Sequence, residues 1–137
     1  MSSTSPQLPK QDFEALSEFR YQLKKFLRFS EDAAQSEGVT PQQYLLLLHI
    51  KGMPGRDWAN IGELAARLQS HHHSVVALIN RCEKLALIER RPSEIDRRIV
   101  NIHLLPAGEY CLAKLAELHR NELRTMATIF NIPTINS

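Results

Sequence analysis

The stretch Asn60–Leu85, NIGELAARLQSHHHSVVALINRCEKL, decides the fold. Asn60 is suited to cap a helix, because its side-chain oxygen can accept from a free N–H of the first turn. Glu63 stands three residues on to return the bond, completing a capping box. Behind it, Ile61, Leu64, Ala65 and Leu68 recur every three or four residues as one apolar stripe. Gln69 and Ser70 interrupt the pattern, and a second stripe follows in Val75, Leu78, Ile79, Cys82 and Leu85. Two short amphipathic helices across a tight turn predict a helix-turn-helix. Its second helix, around His71–Leu85, is the one that would enter a major groove.

Working outward toward the N-terminus, Thr40 is a second N-cap, with Pro41 at the first helical position and Gln43 closing another capping box. The body of that helix, Gln42–Ile50, holds the run Leu45–Leu48, and Gly52-Met53-Pro54-Gly55 ends it. Before it, Gln11–Ser36 reads as a long helix with Phe13, Leu16, Phe19, Leu23, Phe26 and Leu27 at helical spacing. Toward the C-terminus the period changes from helical to alternating. Leu87–Arg91 and Arg97–Leu104 read as strands around a polar turn, Pro92–Asp96, which together make a wing. Pro106 opens a last helix to about Phe130, with Leu112, Leu115, Leu118 or His119, Leu123, Met126 and Phe130 as its stripe.

The expected fold is mainly α with a small β-hairpin wing: a winged helix-turn-helix with terminal dimerisation helices. Residues 1–10 read as a disordered tail and 11–137 as a single domain. Within it, 38–105 form the winged helix-turn-helix lobe, and 11–37 with 106–137 the dimerisation helices. The terminal helices carry more apolar surface than so small a lobe can cover, and a symmetric second copy is the economical cover.

A length of 137 residues suits one domain with one core. No apolar run approaches the roughly 20 residues that span a bilayer, and the Ser/Pro-rich start lacks a signal-peptide core, so a cytoplasmic protein without a membrane role is expected. Cys82 and Cys111 are far apart in sequence and outside any C-x-x-C spacing, which favours reduced, buried thiols. No Ser-His-Asp motif, phosphate-binding glycine loop or paired-carboxylate signature stands out, so an enzyme is not expected. Consecutive helical residues point about 100° apart, so His71, His72 and His73 do not converge on one ion; neither a metal nor a cofactor is expected. His103 and His119 read as structural histidines.

The net charge of +2 does not by itself mark a nucleic-acid binder, so local chemistry decides. Off the buried stripe, the second helix presents His71, His72, His73, Ser74, Val76, Ala77 and Asn80. Histidine and serine can hydrogen-bond base edges or phosphates, and Val76 can pack on a thymine methyl. Arg90, Arg91, Arg97 and Arg98 fall within nine positions of the wing, and arginine suits a narrow minor groove. Glu89, Glu94 and Asp96 offset that charge, which leaves a plain solvated hairpin as the alternative. A winged-helix module for protein contacts, with weak or no specific DNA binding, is the other reading.

The order of elements resembles the MarR family of winged helix-turn-helix transcriptional regulators, over about Gln11 to Phe130. The resemblance is carried by Thr40-Pro41-Gln42-Gln43-Tyr44-Leu45-Leu46-Leu47-Leu48, by Ile61-Gly62-Glu63-Leu64-Ala65-Ala66-Arg67-Leu68 and by Leu85-Ala86-Leu87-Ile88-Glu89-Arg90-Arg91. Its most specific parts are Asp96-Arg97-Arg98 followed by Leu104-Leu105-Pro106-Ala107-Gly108. It implies a homodimer that binds double-stranded DNA at a palindromic operator, usually as a repressor, with half-sites ~10 bp apart. It implies that Arg98 reaches into the minor groove with Asp96 as its support. It also implies release by a small aromatic effector, for which Tyr21, Tyr44, His49 and Trp58 are pocket candidates beside the plainer reading of ordinary core and edge residues.

Four departures from the family pattern stand out. Ala77 replaces a frequent arginine, and His71–His73 replaces a more usual Asp-Arg-Ser type of sequence. Leu105 replaces a threonine cap. The chain ends soon after Phe130, with Ile129–Ile135 as the expected remnant of a further helix.

Overall fold

The computed structural model describes residues 7–135. Residues 1–6 of the expected 1–10 tail lie outside the described residues, and Lys10 already begins the first helix. In chain order the elements are α1 (Lys10–Ser36), α2 (Pro41–Lys51), β1 (Trp58–Asn60), α3 (Ile61–Leu68), α4 (His72–Lys84), β2 (Ile88–Pro92), β3 (Val100–Leu104) and α5 (Pro106–Met126). The molecule is mainly helical with one small sheet. Among the described residues no helix is long and apolar enough to cross a membrane.

The two capping boxes form as the sequence reads. Thr40 Oγ1 accepts from the Gln43 backbone N–H at 3.1 Å, and Gln43 Oε1 accepts from the Thr40 N–H at 2.9 Å. Asn60 Oδ1 accepts from the Glu63 N–H at 2.8 Å, and Glu63 Oε1 accepts from the Asn60 N–H at 3.0 Å. Each box satisfies donors that a helix start leaves free, worth about 1 kcal/mol per cap. Glu63 is fixed a second time by the guanidinium of Arg56. The turn between α3 and α4 closes through Gln69, left-handed at φ 51°, with the Ser70 N–H donating to the Ala65 carbonyl at 3.1 Å. At the start of α5, Leu105 offers no side-chain cap.

The sheet has three antiparallel strands in the order β1-β3-β2, where the sequence predicted a two-stranded hairpin. β1 pairs Ala59 with Ile102, and β2 pairs Arg90 with the same Ile102. Leu46, Leu47 and Ile50 of α2 are fully buried beside Leu64, Val75, Ile79, Cys82, Ile88, Ile102 and Leu115. One core therefore joins α2 to α3, α4, the sheet and α5. α5 docks on the entry to β2 by backbone contact. The Leu105 N–H donates to the Leu87 carbonyl at 2.9 Å, and a β-carbon at Gly108 would stand 2.1 Å from that same oxygen. Glycine is required there for the close approach.

Several boundaries and faces differ from the sequence reading. Leu85, expected on the inward face of α4, is its C-cap and 52% exposed. Ala86 turns left-handed at φ 58°, and the chain buries Leu87 instead. α5 ends at Met126 rather than near Phe130. On α1, Phe13 is 55% and Leu27 50% exposed, and Leu16 and, on α5, Leu123 are exposed too. Periodicity locates an apolar stripe, but a single copy covers only the part of it that meets α2 and α5.

Candidate nucleic-acid interface

α4 presents its start to solvent. His71 occupies the N-cap position without a side-chain cap bond, and His72, His73, Ser74, Ala77 and Asn80 are exposed. Val76 is half-buried. The His71 and His73 rings stack, with centroids 5.7 Å apart and planes 5° from parallel. A helix start with free N–H groups favours an anion, and here the first residues are the exposed His71, His72 and His73. Among the described residues no three His, Cys, Asp or Glu side chains gather into a metal-holding set.

The wing tip is a built turn. The Ser93 N–H donates to the Ile99 carbonyl at 2.8 Å, and the Ile99 N–H donates to the Asp96 carbonyl at 2.9 Å. Asp96 Oδ1 accepts from the backbone N–H and the Nε of Arg98, each at 3.1 Å, while Oδ2 accepts from its Nη2 at 3.1 Å. The guanidinium beside it, and then the backbone N–H, hold the Asp96 carboxyl below the ordinary aspartate value. Arg98 is thereby aimed while its side chain stays 90% exposed. Arg97 is also exposed and forms no ion pair among the described residues.

The four wing arginines do not form one cluster. Arg91 lies back from the tip, with Nη2 on Glu89 Oε2 at 3.0 Å and Nη1 3.4 Å from His103 Nδ1. Arg90 turns toward α4, where it pairs with Glu83 and donates through Nη2 to Asn80 Oδ1 at 2.6 Å. Glu83 is the residue that sequence reasoning missed. It lies three positions beyond Asn80 on α4, so the helical spacing that placed Asn80 outward would also have found it.

The four pocket candidates occupy separate surroundings. Tyr21 is exposed on α1, where the Lys25 ammonium stands 5.0 Å from its ring centre. Tyr44 is buried and stacks on His119 at 4.9 Å, and burial raises its hydroxyl pKa. Trp58 stacks on His103 at 6.1 Å, and the Arg56 guanidinium lies 4.3 Å from a Trp58 ring centre. His49 is half-buried on α2, and its pKa is lowered by that burial and then by Arg67. Tyr44 lines an open groove of about 580 Å³ together with Phe26, Leu48, His119, Leu123, Arg120 and Arg124. Tyr21 borders a different, polar groove along α1.

His119 and both thiols lie inside the fold, while His103 is half-buried. His119 is buried, its Nδ1 donating to the Leu115 carbonyl at 2.7 Å and its Nε2 lying 2.8 Å from the Ser30 hydroxyl. Cys82 and Cys111 are free and buried. Burial pushes the Cys82 thiol up to about 11 and raises Cys111 as well.

Residues 37–99 match the sequence profile of the MarR family. A Thauera aromatica protein with the provisional name of a transcriptional regulatory protein for the hcr operon is 33% identical over 98 residues, which are 72% of this chain and 57% of that relative. The chain spans less than two thirds of the length of the curated relatives it matches. AbsC, a MarR family transcriptional regulator from Streptomyces coelicolor, superimposes with a TM-score of 0.75 at 22% identity, covering 94% of this chain and 86% of that one. The F27L mutant of MepR from S. aureus, solved bound to an oligodeoxyribonucleotide, superimposes with a TM-score of 0.62 at 20% identity, covering 82% of this chain and 81% of that one. The winged helix-turn-helix of this chain, residues 37–99, thus carries the sequence pattern of the MarR family, and the chain shares its fold with a solved member of that family over nearly its whole length.

Proposed function

We propose that this chain is a sequence-specific DNA-binding transcriptional regulator, a homodimeric repressor acting on a palindromic operator. The observation that carries the reading is the wing tip, where Asp96 holds the Arg98 guanidinium out in solvent on a hairpin tied to α4. Such an arginine is placed for the negative potential of a narrow minor groove. The start of α4 then enters the major groove with His71, His72, His73 and Ser74, followed by Val76, Ala77 and Asn80. Arg97 and Arg91 contribute phosphate contacts, which position the protein and make binding salt-dependent. Arg90 holds the wing rather than touching DNA. A DNA-bound MepR structure with the same fold supports this use of the winged helix.

The dimer is supported by the apolar side chains that α1 and α5 leave uncovered, among them Phe13, Leu16, Leu27, Leu118 and Leu123. A second copy related by a two-fold axis would bury them and present two α4 helices to half-sites ~10 bp apart. The Tyr44 groove, between α1, α2 and α5, supports a small aromatic effector. Such a ligand releases DNA by binding one lobe spacing more tightly than another. Selection of bound duplexes from a random DNA pool tests the whole reading. A two-fold-symmetric motif is expected, and no enrichment would leave a protein-contact module in its place.

A further inference from the structure

Ile95 stands at the tip of the wing with 98% of its surface exposed, more than any other large apolar side chain among the described residues. Single exposed apolar residues are ordinary, and most need no explanation. This one sits in a turn, where Gly, Asn, Asp and Ser are favoured on conformational grounds. Its backbone is also fixed. The Ile95 N–H donates to Ser93 Oγ at 3.2 Å, and the Asp96 N–H donates to the same oxygen at 3.3 Å. The side chain is thus carried on a rigid tip, one residue before the aspartate that aims Arg98, with exposed Arg97 beside it and Ile99 half exposed. A branched aliphatic on the same exposed turn as Arg97 and Arg98 matches a surface that is anionic at its rims and apolar along its sugar walls.

We propose that Ile95 is an apolar minor-groove contact that enters beside Arg98, packs on deoxyribose and base edges, and favours easily deformed base steps; this rests on the regulator reading above. Apolar wedges in the minor groove partly unstack a step, and TA and CA/TG steps yield at least cost. Ile95 then sets sequence preference outside the bases read by α4 without making a hydrogen bond. Arg98 supplies the electrostatic attraction that brings it there.

The 137-residue protein, I95S and I95L are each used to select duplexes from the same random pool. Wild type and I95L are expected to enrich TA or CA/TG steps flanking the α4 positions. I95S is expected to keep the inner motif, lose the flanking enrichment, and bind the wild-type consensus about fivefold or more weakly. Equal affinities and identical flanks for wild type and I95S, or a wild-type motif without flanking step preference, overturn the inference and leave the regulator reading standing. No enrichment by the wild-type protein overturns that reading, and this inference with it. An exposed tip position makes the serine variant fold as wild type, which circular dichroism verifies.

Discussion

Arg90 and Asn80 are joined directly, with Nη2 of the arginine donating to Oδ1 of the asparagine at 2.6 Å while the same guanidinium pairs with Glu83. β2 is thereby fastened to the outer face of α4, so the wing and α4 hold one relative position. The contact also restricts Asn80. An asparagine that reads adenine in bidentate fashion needs both its oxygen and its amide nitrogen, and here the oxygen is engaged. In the proposed DNA complex, the exposed His71–Ser74 segment is left as the main source of base contacts on α4.

Arg90→Ala and Arg98→Ala should therefore give opposite phenotypes. Arg90→Ala removes a partly buried, doubly bonded contact and should cost about 1 kcal/mol of stability, with faster amide exchange along β2. Arg98→Ala should lower the melting temperature far less than Arg90→Ala, because its guanidinium is nearly all in solvent. DNA affinity should fall sharply in Arg98→Ala and modestly in Arg90→Ala. Thermal melts and DNA titrations of both variants check the crossing; equal losses of stability would contradict it.

The Asp96–Arg98 pair predicts a pH signature. Arg98 holds the folded Asp96 carboxyl below the ordinary aspartate value. The pair's contribution is accordingly complete above the pKa of an unfolded aspartate and is lost as pH falls through the lower folded one. In an NMR titration the Asp96 midpoint should lie below the ordinary value and move up toward it in Arg98→Ala. An unchanged midpoint in that variant would show the pair to be absent in solution.

Gly108 makes a packing prediction. Its missing β-carbon lets the Leu87 carbonyl approach, and the nearest atoms there, the carbonyl oxygen, carbonyl carbon and Cα of Leu87, are all backbone, which cannot swing away. Gly108→Ala should destabilise by about 1–3 kcal/mol through overpacking. At Gly62 the nearest atom to an added β-carbon is the Asn60 Oδ1 at 3.5 Å, an ordinary contact. Gly62→Ala should be neutral or stabilising by up to ~1 kcal/mol, as expected for alanine in a helix. Denaturant melts of the pair test this; a Gly108→Ala as stable as wild type would mean α5 docks differently.

Gly108 also shows what the sequence discloses and what it hides. The Leu104–Gly108 motif was legible as a family mark, but its cause, a carbonyl of Leu87 twenty-one positions earlier, needs the tertiary structure. The caps at Thr40 and Asn60 were fully legible because their partners lie three residues away. β1 was not: three residues, Trp58–Asn60, are too few for a period, and only pairing with β3 defines them as a strand. Among the arginines, sequence could count the charge but not its partners, so the bonds of Arg90 to Asn80 and Glu83 of α4 were hidden. The terminal stripe was visible, yet periodicity does not say whether its cover comes from the same chain.

The thiols give a further check. Burial raises both Cys82 and Cys111, so little thiolate exists near neutrality. Neither cysteine should react with a thiol reagent at pH 7.5 until the protein is unfolded, when both should react. Fast labelling of either in the folded protein would reopen a redox role.

The most direct test of the central claim is a fluorescence anisotropy titration of a mixed-sequence 30-bp duplex with wild type and Arg98→Ala, repeated from about 50 to 200 mM salt. Wild type should bind with affinity that falls steeply as salt rises. Arg98→Ala should bind more weakly, with a salt slope shallower by about one per protomer. Absence of salt-dependent binding, or an Arg98→Ala isotherm that overlays the wild type at every salt concentration, would contradict DNA recognition through this wing.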